Sequence, residues 1–351
     1  MQRNGHDTAI EPERNGRRTL PVLFIVVPCY NEEAVLPHSC AMLREQLTCM
    51  QEEGLVDGRS RILLVDDGSS DGTWDAICAL SEGGGGAFQG LRLSRNRGQQ
   101  NALLAGLQEA YGRCDITITI DADGQDDMRA MEDMVREYLD GCDVVYGVRT
   151  DRSSDTAFKR ITAELFYKLM HAMGCEVVSN HADYRLISAP ALGALMEYGE
   201  VNVFLRGMVP LVGFKSTCVY YERRPRTAGE SHYSVSKMAA FAAEGITSMS
   251  VKPLRVATGL GMAVSALSFC AIIWVVVTKL MGNAVDCWAS MASIQLFVAG
   301  IQLIVLGILG EYLGKVYLET KHRPRYAVAQ RVGDAIDDGE SDRDRWSVGD
   351  R

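Results

Sequence analysis

Five short apolar runs punctuate the first 150 residues: Leu23–Val27, Arg61–Val65, Leu91–Ser94, Ile116–Ile120 and Val144–Val148. Between most of them, apolar positions recur at helical spacing, over Glu33–Glu52, Thr73–Ser81, Gln99–Tyr111 and Met128–Leu139. Several runs are apolar throughout rather than alternating, as in strands covered on both faces. Strand–helix alternation predicts an α/β domain around a mostly parallel sheet. Gly83–Gly86 reads as a flexible turn, because no Lys-Ser/Thr follows to make it a phosphate loop.

The pattern changes after Arg255. Val256–Thr278 is 23 residues without a charge, and Cys287–Gly310 is 24 more. At about 1.5 Å per residue the first spans roughly 34 Å, enough for a bilayer core of about 30 Å. Trp288 and Tyr312 fall at interfacial positions. The short connection Lys279–Asp286 predicts a tight hairpin with both outer flanks on one side. Those flanks carry Lys237, Lys252 and Arg255 before, and Lys315, Lys321, Arg323 and Arg325 after. The positive-inside rule then puts the large N-terminal domain and the tail in the cytoplasm, at a multi-pass inner membrane. Upstream, Val235, Met238, Ala242, Ile246 and Met249 keep helical spacing, and either an interfacial helix or a docking helix over 234–255 explains them.

Composition narrows this picture. The chain has 351 residues, is 47% hydrophobic, and has a net charge of −9. The size suits one large domain of 20–233 plus the hairpin, and the charge argues against nucleic acid as a partner. Residues 1–19 are polar and read as disordered. Segment 311–351 reads as a cytoplasmic extension whose end, Gly333–Arg351, has seven acidic and three basic residues and few apolar ones, a disordered acidic tail. The first apolar run is too short for a signal peptide. Ten cysteines without a C-x-x-C pair argue against zinc and for a reducing compartment.

Chemistry-bearing residues collect where the predicted strands end. The first run leads into Pro28-Cys29-Tyr30-Asn31-Glu32-Glu33 and the second into Asp66-Asp67-Gly68-Ser69-Ser70-Asp71-Gly72-Thr73. The third leads into Ser94-Arg95-Asn96-Arg97-Gly98, the fourth into Asp121-Ala122-Asp123-Gly124-Gln125, and the fifth ends in Arg149. In open α/β sheets this carboxyl edge is where ligands bind. Two carboxylates one residue apart form a compact oxygen site that suits Mg²⁺ or Mn²⁺ and, through it, a diphosphate. Acidic groups suit ribose and base donors, and arginines suit phosphate. Helix capping is the competing explanation for Ser69, Ser70 and Asp71.

Taken together these segments resemble a family 2 glycosyltransferase of the GT-A fold, a Rossmann-like mixed, mostly parallel sheet. The closer resemblance is to the polyprenyl-phosphate glycosyltransferases, the group of dolichol-phosphate mannose synthase and the bactoprenol glucosyltransferases. It covers about residues 20–326. Pro28–Glu33, Val65–Thr73, Arg95–Gly98 and Asp121–Gln125 match the donor half. Phe158-Lys159-Arg160 with Phe166-Tyr167, Ala182-Asp183-Tyr184-Arg185-Leu186, Phe204-Leu205-Arg206-Gly207 and Arg226–Tyr233 match the acceptor half. Gly310–Gly314 and Glu319–Tyr326 follow the second apolar run in the same way.

The resemblance implies an inverting transfer of a sugar from a nucleotide-sugar to polyprenyl phosphate, with UDP-glucose and undecaprenyl phosphate as the expected pair. UDP-N-acetylglucosamine, an aminoarabinose donor and GDP-mannose are the other donors. Pro28, Tyr30, Glu32, Asp66, Asp67, Arg95 and Asp121 are implied in the nucleotide-sugar pocket. Asp121, Asp123 and Gln125 are implied in the metal–diphosphate site, with Asp123 catalytic. Arg149, Arg160, Arg206, Arg226, Ser231 and His232 are implied at the acceptor phosphate, and Asp183 as a base or an orienting group. His232 stands where the group usually has Lys, and His181 reads as structural or orienting. A homo-oligomer, with a tetramer as its candidate state, is implied too. A processive polysaccharide synthase is the first alternative; its Q-x-x-R-W motif is incomplete here, with Asp342 ahead of Arg345-Trp346. The second is a non-catalytic membrane scaffold.

Overall fold

A computed structural model describes residues 19–150, 173, 181–222, 246–248, 250–281 and 288–333. Its centre is an eight-stranded sheet in the order β7-β5-β6-β4-β1-β2-β3-β8. The strands are β1 (Leu23–Cys29), β2 (Arg61–Asp66), β3 (Phe88–Leu93), β4 (Ile116–Thr119), β5 (Val144–Arg149), β6 (His181–Ser188), β7 (Ser216–Tyr221) and β8 (Val328–Val332). β1 pairs in parallel with β2 and β4, β2 with β3, and β5 with β7. β6 is antiparallel to both β4 and β5, and β8 is antiparallel to β3. The sheet is therefore mixed and mostly parallel, the expected α/β class.

The unbroken apolar strands are explained by cover on both faces. Leu23, Ile25 and Val27 of β1 point into one core, shared with α1 (Leu36–Glu52), α2 (Thr73–Gly83) and α4 (Ala130–Leu139). Phe24 and Val26 point into the other, shared with α3 (Gln99–Ala110), α5 (Ala189–Met196) and α6 (Leu205–Leu211). α1 buries Leu36, Cys40, Leu43, Leu47 and Met50 along one helical stripe. α3 lies unusually close to the sheet at Gly106, where a Cβ would come within 2.4 Å of Val26. An alanine there would overpack this contact, typically at about 1–3 kcal/mol.

Two long helices follow, α7 (Lys252–Leu280) and α8 (Trp288–Thr320). They touch each other, and both contain stretches long and apolar enough to cross a membrane, whose most apolar windows are not buried in the protein. Both exceed the uncharged runs that announced them. α8 is 33 residues, roughly 50 Å, so its charged last ten residues extend well past a core of about 30 Å. At the hairpin's base Lys315 Nζ donates to Thr247 Oγ1 and Ser248 Oγ at 2.6 and 2.9 Å, and Tyr312 Oη donates to the Ser250 carbonyl.

The chain then turns back. Val328–Val332 joins the sheet edge beside β3, with Gly90 opposite Val332 and Arg92 opposite Gln330. The domain that the sequence bounds at residue 233 thus receives its eighth strand from beyond the two long apolar helices. Strand three also starts earlier than its apolar run, at Phe88. The segment 234–245 and the acidic tail lie outside the described residues.

Candidate active site

The loops after β1 and β2 are sewn together through backbone amides. Asn31 N donates to Ser69 Oγ (3.0 Å), Glu32 N to Thr73 Oγ1 (2.9 Å) and Glu33 N to Asp71 Oδ2 (3.2 Å). Ser70 N donates back to Asn31 Oδ1 and Gly72 N to Glu33 Oε2. Asn31 takes a left-handed φ of 55°, which Asn tolerates better than most residues. Asp71 also accepts from Thr73 N and Oγ1 at the start of α2, one position outside the N-cap Gly72, so local loop bonding accounts for it. Ser69 serves the neighbouring loop instead.

Asp66 and Asp67 are buried beneath these loops. Asp66 accepts from Ser69 N at 2.9 Å, and Arg92 Nε lies 3.2 Å from its other oxygen. Arg92 in turn sits 5.6 Å over the Trp74 ring. Asp67 accepts from Arg97 N (2.7 Å) and Gly98 N (2.8 Å) at the entrance to α3. Burial raises its pKa even against those two bonds. Gly68, at φ +67°, lets this turn press on the next: a Cβ there would lie 2.5 Å from the Arg95 backbone. Pro28 is held within β1, Tyr30 is exposed, and Arg95 is exposed on the loop that Asp67 fixes.

At the end of β4, Ala122 is buried while Asp121 and Asp123 on either side remain partly exposed. Gln99 Nε2 donates to Asp121 Oδ1 at 2.8 Å, and Gln125 N to Asp123 Oδ1 at 3.2 Å. Desolvation, followed by Asp183, Asp126 and Asp123, pushes the Asp121 pKa up to about 7. Asp126 is buried and accepts from Tyr221 Oη (2.8 Å) and Arg149 Nη2 (3.2 Å). Arg149 also donates to Tyr221 Oη at 3.2 Å. Burial is the largest influence on Arg149 and opposes its charge, but Asp126, Tyr221 and Asp121 together raise its pKa.

Because β6 runs against its neighbours, its first residues arrive at the edge where β4 and β5 end, with His181 opposite Val148. Asp183 is thereby brought beside the Asp121 loop. It is 3% exposed and heavily bonded. Arg185 Nη2 lies 2.5 Å from Oδ1, and Arg206, from α6, grips both oxygens at 3.1 Å. Gln100 Nε2 donates to Oδ2 at 3.3 Å. Gln99 Nε2, already on Asp121, reaches the same oxygen at 3.4 Å. One amide thus touches both carboxylate groups. Arg185 is itself buried; burial lowers its pKa although Asp183 pulls it up.

The edge therefore gathers Pro28, Tyr30, Glu32, Asp66, Asp67, Arg95, Asp121, Asp123, Gln125, Arg149, Asp183 and Arg206. Arg160, Arg226, Ser231 and His232 lie outside the described residues. Gln99, Gln100, Asp126 and Tyr221 join this network without any sequence expectation, and Arg185, quoted only as part of the Ala182–Leu186 match, joins it as a direct partner of Asp183. The first two follow Arg97-Gly98 directly, so the third strand's polar loop was the available signal.

A family model for glycosyl transferase family 2 matches residues 24–195, and one for the GtrB C-terminal hairpin matches 252–316. The chain belongs to the family 2 glycosyl transferases that carry this hairpin, and it is a membrane-associated transferase. Glycosyltransferase YkoT of Bacillus subtilis is 46% identical over 89% of this chain and 92% of its own length. The bactoprenol glucosyl transferase of Shigella phage SfX is 38% identical over 88% of this chain and 99% of its own. Among solved structures, mannosyltransferase PcManGT from Pyrobaculum calidifontis, in complex with GDP-Man and Mn²⁺, covers 84% of this chain and 87% of its own, at 14% identity and a TM-score of 0.44.

Proposed function

We infer that this protein moves glucose from UDP-glucose onto undecaprenyl phosphate at the cytoplasmic membrane face, with inversion at the anomeric carbon. The observation that carries the reading is the meeting of Asp121 and Asp183 on the Gln99 amide. That contact supports reading Asp121 as the diphosphate side and the guanidinium-rich surroundings of Asp183 as the acceptor side of one site. The choice of glucose and of a polyprenyl acceptor is supported by the phage relative named above.

In this reaction an acceptor phosphate oxygen bonds to C1 of the sugar. The C1–O bond to the diphosphate breaks, and its electron pair leaves with UDP. The donor set fits a divalent cation: Asp121 and Asp123 offer hard oxygens, and the crowding that raises Asp121 is what a cation relieves. Mg²⁺ or Mn²⁺ held there, with Gln125 adjacent, would supply neutralisation of charge growing on the leaving group. The chain's own part is placement. A phosphomonoester has a second pKa of about 6, so the acceptor reaches the site largely as the dianion. A strong base is then unnecessary. Asp183, gripped by two guanidiniums, serves to aim Arg206 at the acceptor phosphate. Arg206 keeps part of its side chain exposed for that contact.

Purified protein incubated with undecaprenyl phosphate and a panel of nucleotide-sugars tests this. UDP-glucose is expected to give a single-sugar lipid, and chelation is expected to stop it. A polymer product, or no lipid product with any donor, would refute the reading. The basic flanks support cytoplasmic termini. An impermeant thiol reagent should reach a cysteine placed at Asn283 and not one at Ser341; the reverse would overturn that orientation.

A further inference from the structure

The last turn of α8 carries an acid that faces the catalytic domain. Glu319 Oε1 accepts from the backbone N–H of Val201 at 2.7 Å and of Asn202 at 3.3 Å. Just beyond, Arg325 Nη2 donates to the Tyr198 carbonyl at 2.7 Å. The loop between α5 and α6 is thus held by two charged groups that follow the membrane-crossing stretch. This loop leads straight into the site. Leu205 N donates to Gln100 Oε1 at 3.1 Å, Arg185 Nη1 donates to the Leu205 carbonyl at 3.1 Å, and Arg206 grips Asp183.

We propose that Glu319 is a positioning residue for sugar transfer: it fixes the 201–206 turn, and through it Arg206 against Asp183. The site then takes its working geometry only when α8 is seated on the domain. One side-chain oxygen that accepts from two successive backbone amides fixes the direction of both, and the length of the side chain sets whether it reaches them. No sugar, phosphate or metal contact is assigned to Glu319 itself. The inference rests on reading the Asp183–Arg206 pair as the acceptor side.

The test uses the full chain in lipid nanodiscs containing undecaprenyl phosphate. Glu319→Ala is expected to lower kcat by about 10- to 100-fold, the range for a displaced positioning group, with donor KM nearly unchanged. Glu319→Gln is expected to recover most of the rate, because its carboxamide oxygen accepts the same two bonds. Glu319→Asp keeps the charge but falls short of the amides, so it should resemble alanine; it also serves if the alanine variant does not fold. Hydrogen exchange at the Val201 and Asn202 amides should accelerate in Ala and Asp variants and not in Gln. Combining Glu319→Ala with Arg206→Ala should cost no more than Arg206→Ala alone. Faster exchange with unchanged kcat, multiplicative losses in the double variant, or a weakened donor KM would overturn the proposal. If the wild type transfers nothing to lipid, the functional reading falls instead, and the exchange rates still decide whether Glu319 holds the turn.

Discussion

Two pairs of carboxylates at the strand ends differ in what holds them. Asp66 and Asp67 are bound mainly by backbone amides from neighbouring loops, at Ser69, Arg97 and Gly98. Asp183 and Asp126 are bound by side chains: Arg185, Arg206 and two glutamines for one, Arg149 and Tyr221 for the other. An acid spent on backbone amides shapes a loop. An acid facing guanidiniums sets the charge and aim of groups that can meet a substrate. The first pair fixes loops, and the second fixes guanidinium, amide and phenol groups at the sheet edge.

The sharpest way to break this comparison is Asp183→Asn. It leaves buried Arg185 without its counter-charge, at a cost of about 3–5 kcal/mol if the pair is broken outright. Transfer is expected to fall by about 10²-fold or more as Arg206 loses its aim. Donor affinity by calorimetry should hardly change. Weaker donor binding with normal turnover would move Asp183 out of the acceptor site.

Next in size is Asp123→Asn, expected to lower turnover by about 10²-fold through lost leaving-group stabilisation. Near wild-type turnover at limiting metal would remove Asp123 from that role. Asp121 adds a pH signature. Its folded pKa, about 7, lies above the ordinary value of 3.8. Between those values the folded chain holds a proton that the unfolded chain has released. In metal-free buffer stability should therefore decline as pH rises from about 4 to 7. Thermal melts should show a smaller decline in Asp121→Asn; an identical slope would contradict the assignment.

The smallest effect is expected at Asp67→Asn. One of its two amide bonds is lost, which costs about 1–3 kcal/mol for an unsatisfied buried group. The melting temperature should drop while turnover at saturating donor changes far less than in Asp183→Asn. A turnover loss as large as that of Asp183 would erase the distinction between the two sides.

The first five strands were legible because they are largely apolar and end in polar clusters, whereas β7, parallel to β5, has the mixed sequence Ser216–Tyr221 and was not expected. The antiparallel elements were not legible either. His181–Ser188 mixes Asp, Tyr and Arg into a buried strand, and its direction against β4 and β5 depends on pairing rather than composition. Val328–Val332 is short and interrupted by Gln330 and Arg331, so nothing marked it as sheet. The last turns of α8 carry Glu311, Lys315 and Glu319, which end an uncharged run without ending the helix. The glutamines of the site have no charge to single them out, and only their position at the start of α3 gives them their targets.

The strand that closes the sheet edge has a bearing on how the chain is made. β3 ends at Leu93 and its outer partner ends at Val332. At about 5–20 residues per second, synthesis separates them by roughly 10 to 50 s. Both apolar helices are made within the last third of that interval, and throughout it β3 presents an open hydrogen-bonding edge of the kind that recruits foreign strands. Emergence of the apolar hairpin and completion of the sheet are thus ordered events on one growing chain. A catalytic domain cut off before the hairpin would keep that edge for its whole lifetime.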